Sequence, residues 1–383
     1  VAQAIFRYVL KKEEKRMKKM VLVALAATMA FSLAGCGGST APKTTAAASQ
    51  AETTAAEQAA VPISDMKVGL ILSTGGLGDK NFNDMAYDGL LRAQEEYGIE
   101  FDYVEPKSSS DFIPNYRMFA EAEEYDLIIG IGNDQLDAMK EIAEEFSGQK
   151  FSLIDASLDM PNVSSLSTKW QEQTFLTGVI AGLCTQADLP KSNPENVVGV
   201  VLGKDFPNLR EGVVGFEAGV RYVNPDCEIL EAVVDSFNDP GKGKEIALSM
   251  YNRNADFVQH IAGASGLGVF NAAKESDRYA FGVGGNQNAN EPDYIVATAI
   301  RNVDEMVYGE VKAMAEGTWI PGAHVSGMAE GSVGYSTEDS KVALPADVVA
   351  AVEEIRANVI SGELVPCSKA EELDAWVAVN QYK

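Results

Sequence analysis

The chain has 383 residues, enough for two domains with full cores, and a formal charge of −25 at pH 7. The first 35 residues run the other way, with seven Lys/Arg against two Glu, so the remainder is more acidic still. Such a surface repels phosphate backbones and excludes nucleic acid as a partner. The two histidines, His260 and His324, stand in no metal-ligand motif, and the four cysteines, Cys36, Cys184, Cys227 and Cys367, contain no CxxC pair. Zinc hydrolysis and Ser-His-Asp chemistry are therefore not expected, and neither is a metal or a cofactor.

Val1 to Arg16 form no recognisable element and read as translated sequence ahead of a start at Met17. Met17-Lys18-Lys19-Met20 then opens a basic start, followed by a short apolar core, Val21 to Leu33. This is the pattern of a secretory signal, too short for a comfortable membrane span. Its ending, Leu33-Ala34-Gly35-Cys36, resembles the lipobox of bacterial lipoproteins. That resemblance implies cleavage before Cys36, lipid on its thiol, and a protein held on the extracytoplasmic face of the membrane. Residues 36–62 are small and polar, unable to bury enough surface to offset ordering, and read as a flexible tether.

From Lys67 onward strand and helix patterns alternate. Apolar runs near 67–73, 99–104, 126–131, 151–155 and 163–167 read as strands, with helical patterns near 82–97, 111–124 and 134–146. A long helix follows near 170–187. A second series has strands near 197–203, 228–234, 256–262 and 279–284, and helices near 209–223, 241–252 and 266–276. A strand near 294–299, a helix near 303–316 and helical stretches at 345–361 and 370–378 complete the chain. Two such series predict an α/β protein of two doubly wound, Rossmann-like lobes with a ligand cleft between them. We assign 63–169 and 293–335 to the N-terminal lobe, and 170–292 and 336–383 to the C-terminal lobe.

The organising stretch is Gly75-Gly76-Leu77-Gly78-Asp79-Lys80-Asn81-Phe82-Asn83, between a buried strand and a helix with apolar residues at Phe82, Ala86, Leu90, Ala93 and Tyr97. It is neither a Walker loop nor a GxGxxG fingerprint. Its N–H groups and polar side chains, Asp79 and Asn83 among them, lie where open α/β sheets bind ligands. Other strand ends carry similar loops: 130–135, Asp155, 203–208, 263–268 and 284–288. Tyr87 falls off the apolar stripe and is placed to stack on a planar ligand. Trp170, at the start of the long helix, is a candidate for the cleft mouth. Asp155 is suited to accept hydrogen bonds from ligand hydroxyls.

The chain resembles the basic membrane protein family of bacterial lipoproteins, the purine-nucleoside-type substrate-binding proteins of ABC transporters. The resemblance runs from about Lys67 to about Tyr335. It is carried by the 75–83 loop, Asp126 to Gly132, Phe175 to Gly182, Gly215-Phe216-Glu217-Ala218-Gly219, Gly263 to Phe270 and Glu316-Gly317-Thr318-Trp319. It implies a type I periplasmic-binding fold whose lobes close over a nucleoside and deliver it to a permease. Tyr87 then matches a stacking aromatic, Asp155 a strand-end acid and Gly263 a backbone contact. There are departures. Gly78 precedes Asp79 where an acid is usual, a second stacking aromatic falls at Gly212, a ribose carboxylate falls at Gly284, and Arg301 replaces a lysine. Asn286 or Asn288 is placed to substitute for the carboxylate, and Arg301 points to a ligand with its own negative charge.

The expected protein is thus a monomeric, lipid-anchored solute receptor without chemistry of its own, with Asp79, Asn83, Tyr87, Asp155, Trp170, Gly263, Asn286 and Arg301 at its ligand site. The competing readings are a ligand sensor on the same fold serving a signalling partner, and a receptor for an anionic solute that is not a nucleoside.

Overall fold

The computed structural model describes residues Met66–Lys383. Its first sheet holds β1 (Lys67–Ile71), β2 (Glu100–Val104), β3 (Leu127–Ile131), β4 (Phe151–Ile154), β5 (Val163–Thr168) and β11 (Gly322–Ser326), in the order β11-β5-β4-β3-β1-β2, all parallel. The second holds β6 (Val197–Leu202), β7 (Glu228–Val233), β8 (Ala255–Ile261), β9 (Tyr279–Gly284), β10 (Ile295–Arg301) and β12 (Val333–Ser336), in the order β12-β10-β9-β8-β6-β7. Only β12 is antiparallel there. The central strands are apolar on both faces because helices cover both sides, as parallel sheets require.

The helices of the first lobe are α1 (Phe82–Tyr97), α2 (Phe112–Glu121) and α3 (Leu136–Glu145). The second lobe has α4 (Trp170–Cys184), α5 (Pro207–Val223), α6 (Pro240–Asn252) and α7 (Gly266–Ser276). α8 (Val303–Glu316) returns to the first lobe. There its Glu305 pairs bidentately with Arg92 of α1 at 2.6 and 2.8 Å. α9 (Ala346–Ser361) and α10 (Ala370–Val379) close the core of the second lobe.

Two features differ from the sequence reading. The sequence places the strand near 294–299, with 293–335, in the N-terminal lobe, but β10 belongs to the second sheet. Its apolar side chains are buried on both faces, and it continues β9 in parallel register. β12 pairs with β10, so 333–335 also lie in the second lobe. The chain crosses at Asn302 rather than near 293. The strands β11 and β12 were not foreseen, because β11 is an edge strand held by pairing with β5 and has no apolar run to announce it.

The lobes are joined by three crossings: between β5 and α4, between β10 and α8, and between β11 and β12. They are tied to one another. Lys169 N–H donates to the Ser326 carbonyl at 2.9 Å, and Met328 N–H donates to the Glu172 carboxylate at 2.7 Å.

Two stretches that carry the family resemblance, 175–182 and 215–219, turn out to be one helix contact. A Cβ on Gly219 would lie 2.1 Å from the Phe175 carbonyl oxygen, and one on Gly178 would lie 2.2 Å from that of Phe216. Backbone of α4 therefore touches backbone of α5. Gly219→Ala is expected to cost about 1–3 kcal/mol by forcing the helices apart. Gly309→Ala in α8, where a Cβ meets nothing within 4 Å, should instead gain about 0.5–1 kcal/mol. Urea midpoints of the two variants check this. Equal shifts would show that the contact is not tight.

Candidate functional site

The loop between β1 and α1 is fixed by its own side chains. The Asp79 carboxylate accepts from the N–H groups of Asn81 and Asn83, both at 2.9 Å, and of Asp84 at 3.3 Å. It thereby satisfies the first free donors of α1 from outside the helix. Burial pushes its pKa up, and these N–H groups pull it down. Asn83 donates from Nδ2 to Asp79 at 2.9 Å and to Ser73 Oγ at 3.2 Å, and accepts Ser73 N–H at 2.9 Å. Both predicted residues line the cavity between the lobes, and both are already engaged in shaping the loop. Phe82, read from sequence as part of the helix stripe, also lines the cavity.

At the crossings sit three more of the predicted residues. Asp155 ends β4 in a left-handed conformation, φ +68°. Its Oδ1 accepts from Trp170 Nε1 at 3.0 Å and from an Arg301 NH group in a close ion pair. The Arg301 guanidinium lies 4.1 Å from the Trp170 ring centre and 5.2 Å from that of Phe82. Burial pushes the Asp155 carboxyl up and the Arg301 guanidinium down, and each partner opposes the other's shift. The expectation that Arg301 recruits an anionic ligand is corrected here. Its charge is already compensated inside the protein, so the pair offers a ligand no net positive charge.

The remaining wall comes from strand ends of both lobes. After β3, burial pushes the Asp134 carboxyl up to about 6, with Lys204 across the cleft opposing and Asp155 adding to the rise. Its Oδ2 is buried with no partner among the described residues, as is Oδ1 of Asn208. Gly263, φ +55°, follows β8 at the cavity wall. Phe206 and Phe237 stand beside each other, ring centres 6.2 Å apart, and face the cavity from the second lobe. Sequence reasoning marked the loop containing Phe206 and passed over its aromatic ring. Phe237 follows a strand with no glycine signal, so nothing marked it. The empty space is about 700 Å³ with the open mouth included.

Two predicted residues are not brought to the cavity. The Tyr87 ring packs edge-on against Phe101 at 5.7 Å and Tyr103 at 5.1 Å, on the outer side of β2. Phe82, five positions earlier, faces the cavity instead. Asn286 is exposed and donates to the Glu338 carbonyl at 3.2 Å and the Asp339 carboxylate at 3.3 Å. Asn288 is buried but donates to the carbonyls of Ser336 and Glu338 and accepts from Thr298, so it does not replace a ribose carboxylate either. Gly212 has no room for an aromatic. A Cβ there would lie 3.0 Å from Ile261 and 3.2 Å from Trp170. Cys36 lies outside the described residues. His260 is buried, donates to Gln287 at 3.0 Å, and is held neutral by burial, which pushes its pKa down to about 4.

The family model Bmp, described as ABC transporter substrate-binding protein PnrA-like, matches residues 66–369. A lipoprotein of Pyrococcus horikoshii is 31% identical over 282 residues, covering 70% of this chain and 68% of its own. The "ABC transporter nucleoside-binding protein BmpA" of Lactococcus lactis subsp. cremoris is 26% identical over 328 residues, covering 80% of this chain and 90% of its own. Among solved structures, an ABC transporter system solute-binding protein from Aeropyrum pernix K1 superposes with TM-score 0.72 at 27% identity, covering 81% of this chain and 96% of the other.

Proposed function

Because the chain belongs to the PnrA-like family of ABC transporter substrate-binding proteins, we propose that its interlobe cavity captures a nucleoside and presents it to an ABC permease. The observation that carries this reading is that each lobe brings an aromatic side chain to the cavity. Phe82 comes from one lobe, Phe206 and Phe237 from the other, with polar strand ends between them. A planar base would stack on such rings, and Asn208 and Asp134 have oxygens without a partner among the described residues for a ligand's N–H and O–H groups. The binding event is lobe closure, stabilised only by the ligand's better contacts in the closed state. Lipid on Cys36 would keep the receptor beside its permease as a monomer. The relative from Lactococcus lactis, by its name a nucleoside-binding protein, supports the ligand class.

The test is thermal unfolding of the detergent-solubilised full chain against purine and pyrimidine nucleosides and free bases. A ligand at a hundredfold excess over Kd should stabilise by about 2.7 kcal/mol, a clear rise in midpoint. No rise with any nucleoside, in protein shown by mass spectrometry of a denatured extract to carry no ligand, would exclude the nucleoside.

A further inference from the structure

An asparagine directly ahead of a helix ordinarily turns its side-chain oxygen onto the helix's first free N–H groups. Asn81 holds that position at α1 and makes no such bond. Asp79 performs the task in its place. The Asn81 amide is thereby released, and it crosses the cleft. Its Oδ1 accepts from Gly285 N–H of the second lobe at 3.3 Å. Its Nδ2 has no hydrogen-bond partner among the described residues, although the residue is only 4% exposed and lines the cavity. The opposite wall is shaped to receive it. Gly284 has φ +92°, and a Cβ there would lie 1.9 Å from Asn81 Oδ1. Met85 seats one turn further along α1, where a Cβ on Gly285 would lie 2.9 Å from its Sδ.

We propose that Asn81 is a latch between the lobes that reads ligand and closure with the two ends of one amide, and so determines which ligand group this corner accepts. With the oxygen engaged across the cleft, the amide must present its NH₂ to the cavity. The ligand atom it meets is therefore an acceptor, a hydroxyl or carbonyl oxygen. A ligand that supplies this acceptor orients the amide for the latch, and a formed latch orients the amide for the ligand. The two bindings are coupled by the same factor in either direction. The nucleoside reading enters only in the identity of the ligand; the latch does not rest on it.

The full chain in detergent, carrying spin labels through S110C and N238C on exposed residues of the two lobes, reports closure by pulsed electron resonance distances. Asn81→Ala removes both ends of the amide. Its short-distance fraction without ligand is expected to fall at least about threefold, and adenosine to dissociate about tenfold faster. Asn81→Asp keeps the oxygen and loses the donor. It is expected to retain the short-distance fraction while adenosine again leaves about tenfold faster. An unchanged ligand-free fraction in Asn81→Ala overturns the latch, whether or not adenosine binds the wild type. Wild-type dissociation in Asn81→Asp overturns the donor role. A wild type that binds no nucleoside at all defeats the functional reading, and the latch is then decided by the ligand-free distances.

Discussion

Arg301→Leu is expected to destabilise the ligand-free protein by about 3–5 kcal/mol. The leucine still fills the space between Phe82 and Trp170. What it removes is the cation beside Asp155, whose carboxylate then stays buried with Trp170 Nε1 as its remaining partner. A buried unpaired charge is far worse than a buried pair. Asp155→Asn added to Arg301→Leu should recover most of the loss, since an amide oxygen still accepts from Trp170. The single variant's deficit should also shrink in acid, where the stranded carboxylate takes up a proton. Urea unfolding of the wild type, single and double variants at pH 7 measures this. If single and double variants are equally weak, the stacking of Arg301 on the two rings matters more than its charge.

The second large effect has the opposite sign. Asp134 is held with its carboxyl pushed up to about 6 by burial, against an ordinary value of 3.8. Folding therefore favours the protonated form, and keeping the ionised form costs the folded state about 3 kcal/mol above pH 6. That cost declines as pH falls from 6 toward 3.8 and is absent below. Asp134→Asn should accordingly be more stable than wild type by about 2–3 kcal/mol at pH 8 and indistinguishable from it near pH 3.5. An equal gain at both pH values would mean that packing, not charge, is responsible. The same variant should bind nucleoside less well, because the unpartnered Oδ2 is a ligand acceptor in the proposed site. Stability is here traded for a ready hydrogen-bonding group.

Strand existence was legible wherever burial dictated composition. Val197–Leu202 is six apolar or glycine residues in a row, rich in β-branched valine, and forms a fully buried strand. Lobe membership of Ile295–Arg301 was not legible, because an apolar run says that a strand is covered, not which sheet covers it. Site residues divide the same way. Asp79, Asn83, Asp155 and Gly263 lie just beyond the carboxyl ends of strands, whose position relative to the sheet follows from topology alone. Tyr87 and Asn286 lie a few residues beyond such turns, where side-chain direction depends on helix phase and loop path. Phe206 and Phe237 were missed because an aromatic in a loop looks the same whether it lines a cavity or packs on its neighbour. Asn81 was visible as part of the loop, but its reach across the cleft depends on Gly284, far along the chain.

The three crossings have a mechanical consequence. One connection would let the lobes tumble, and two would let them twist. A third, stitched to the first through Lys169, Ser326, Glu172 and Met328, favours a swing about that shared edge, like a book opening from its fore-edge. Arg301 and Trp170 sit at the spine. Lys107 and Lys204 border the mouth from opposite covers. A swing about the spine would part those two lysines.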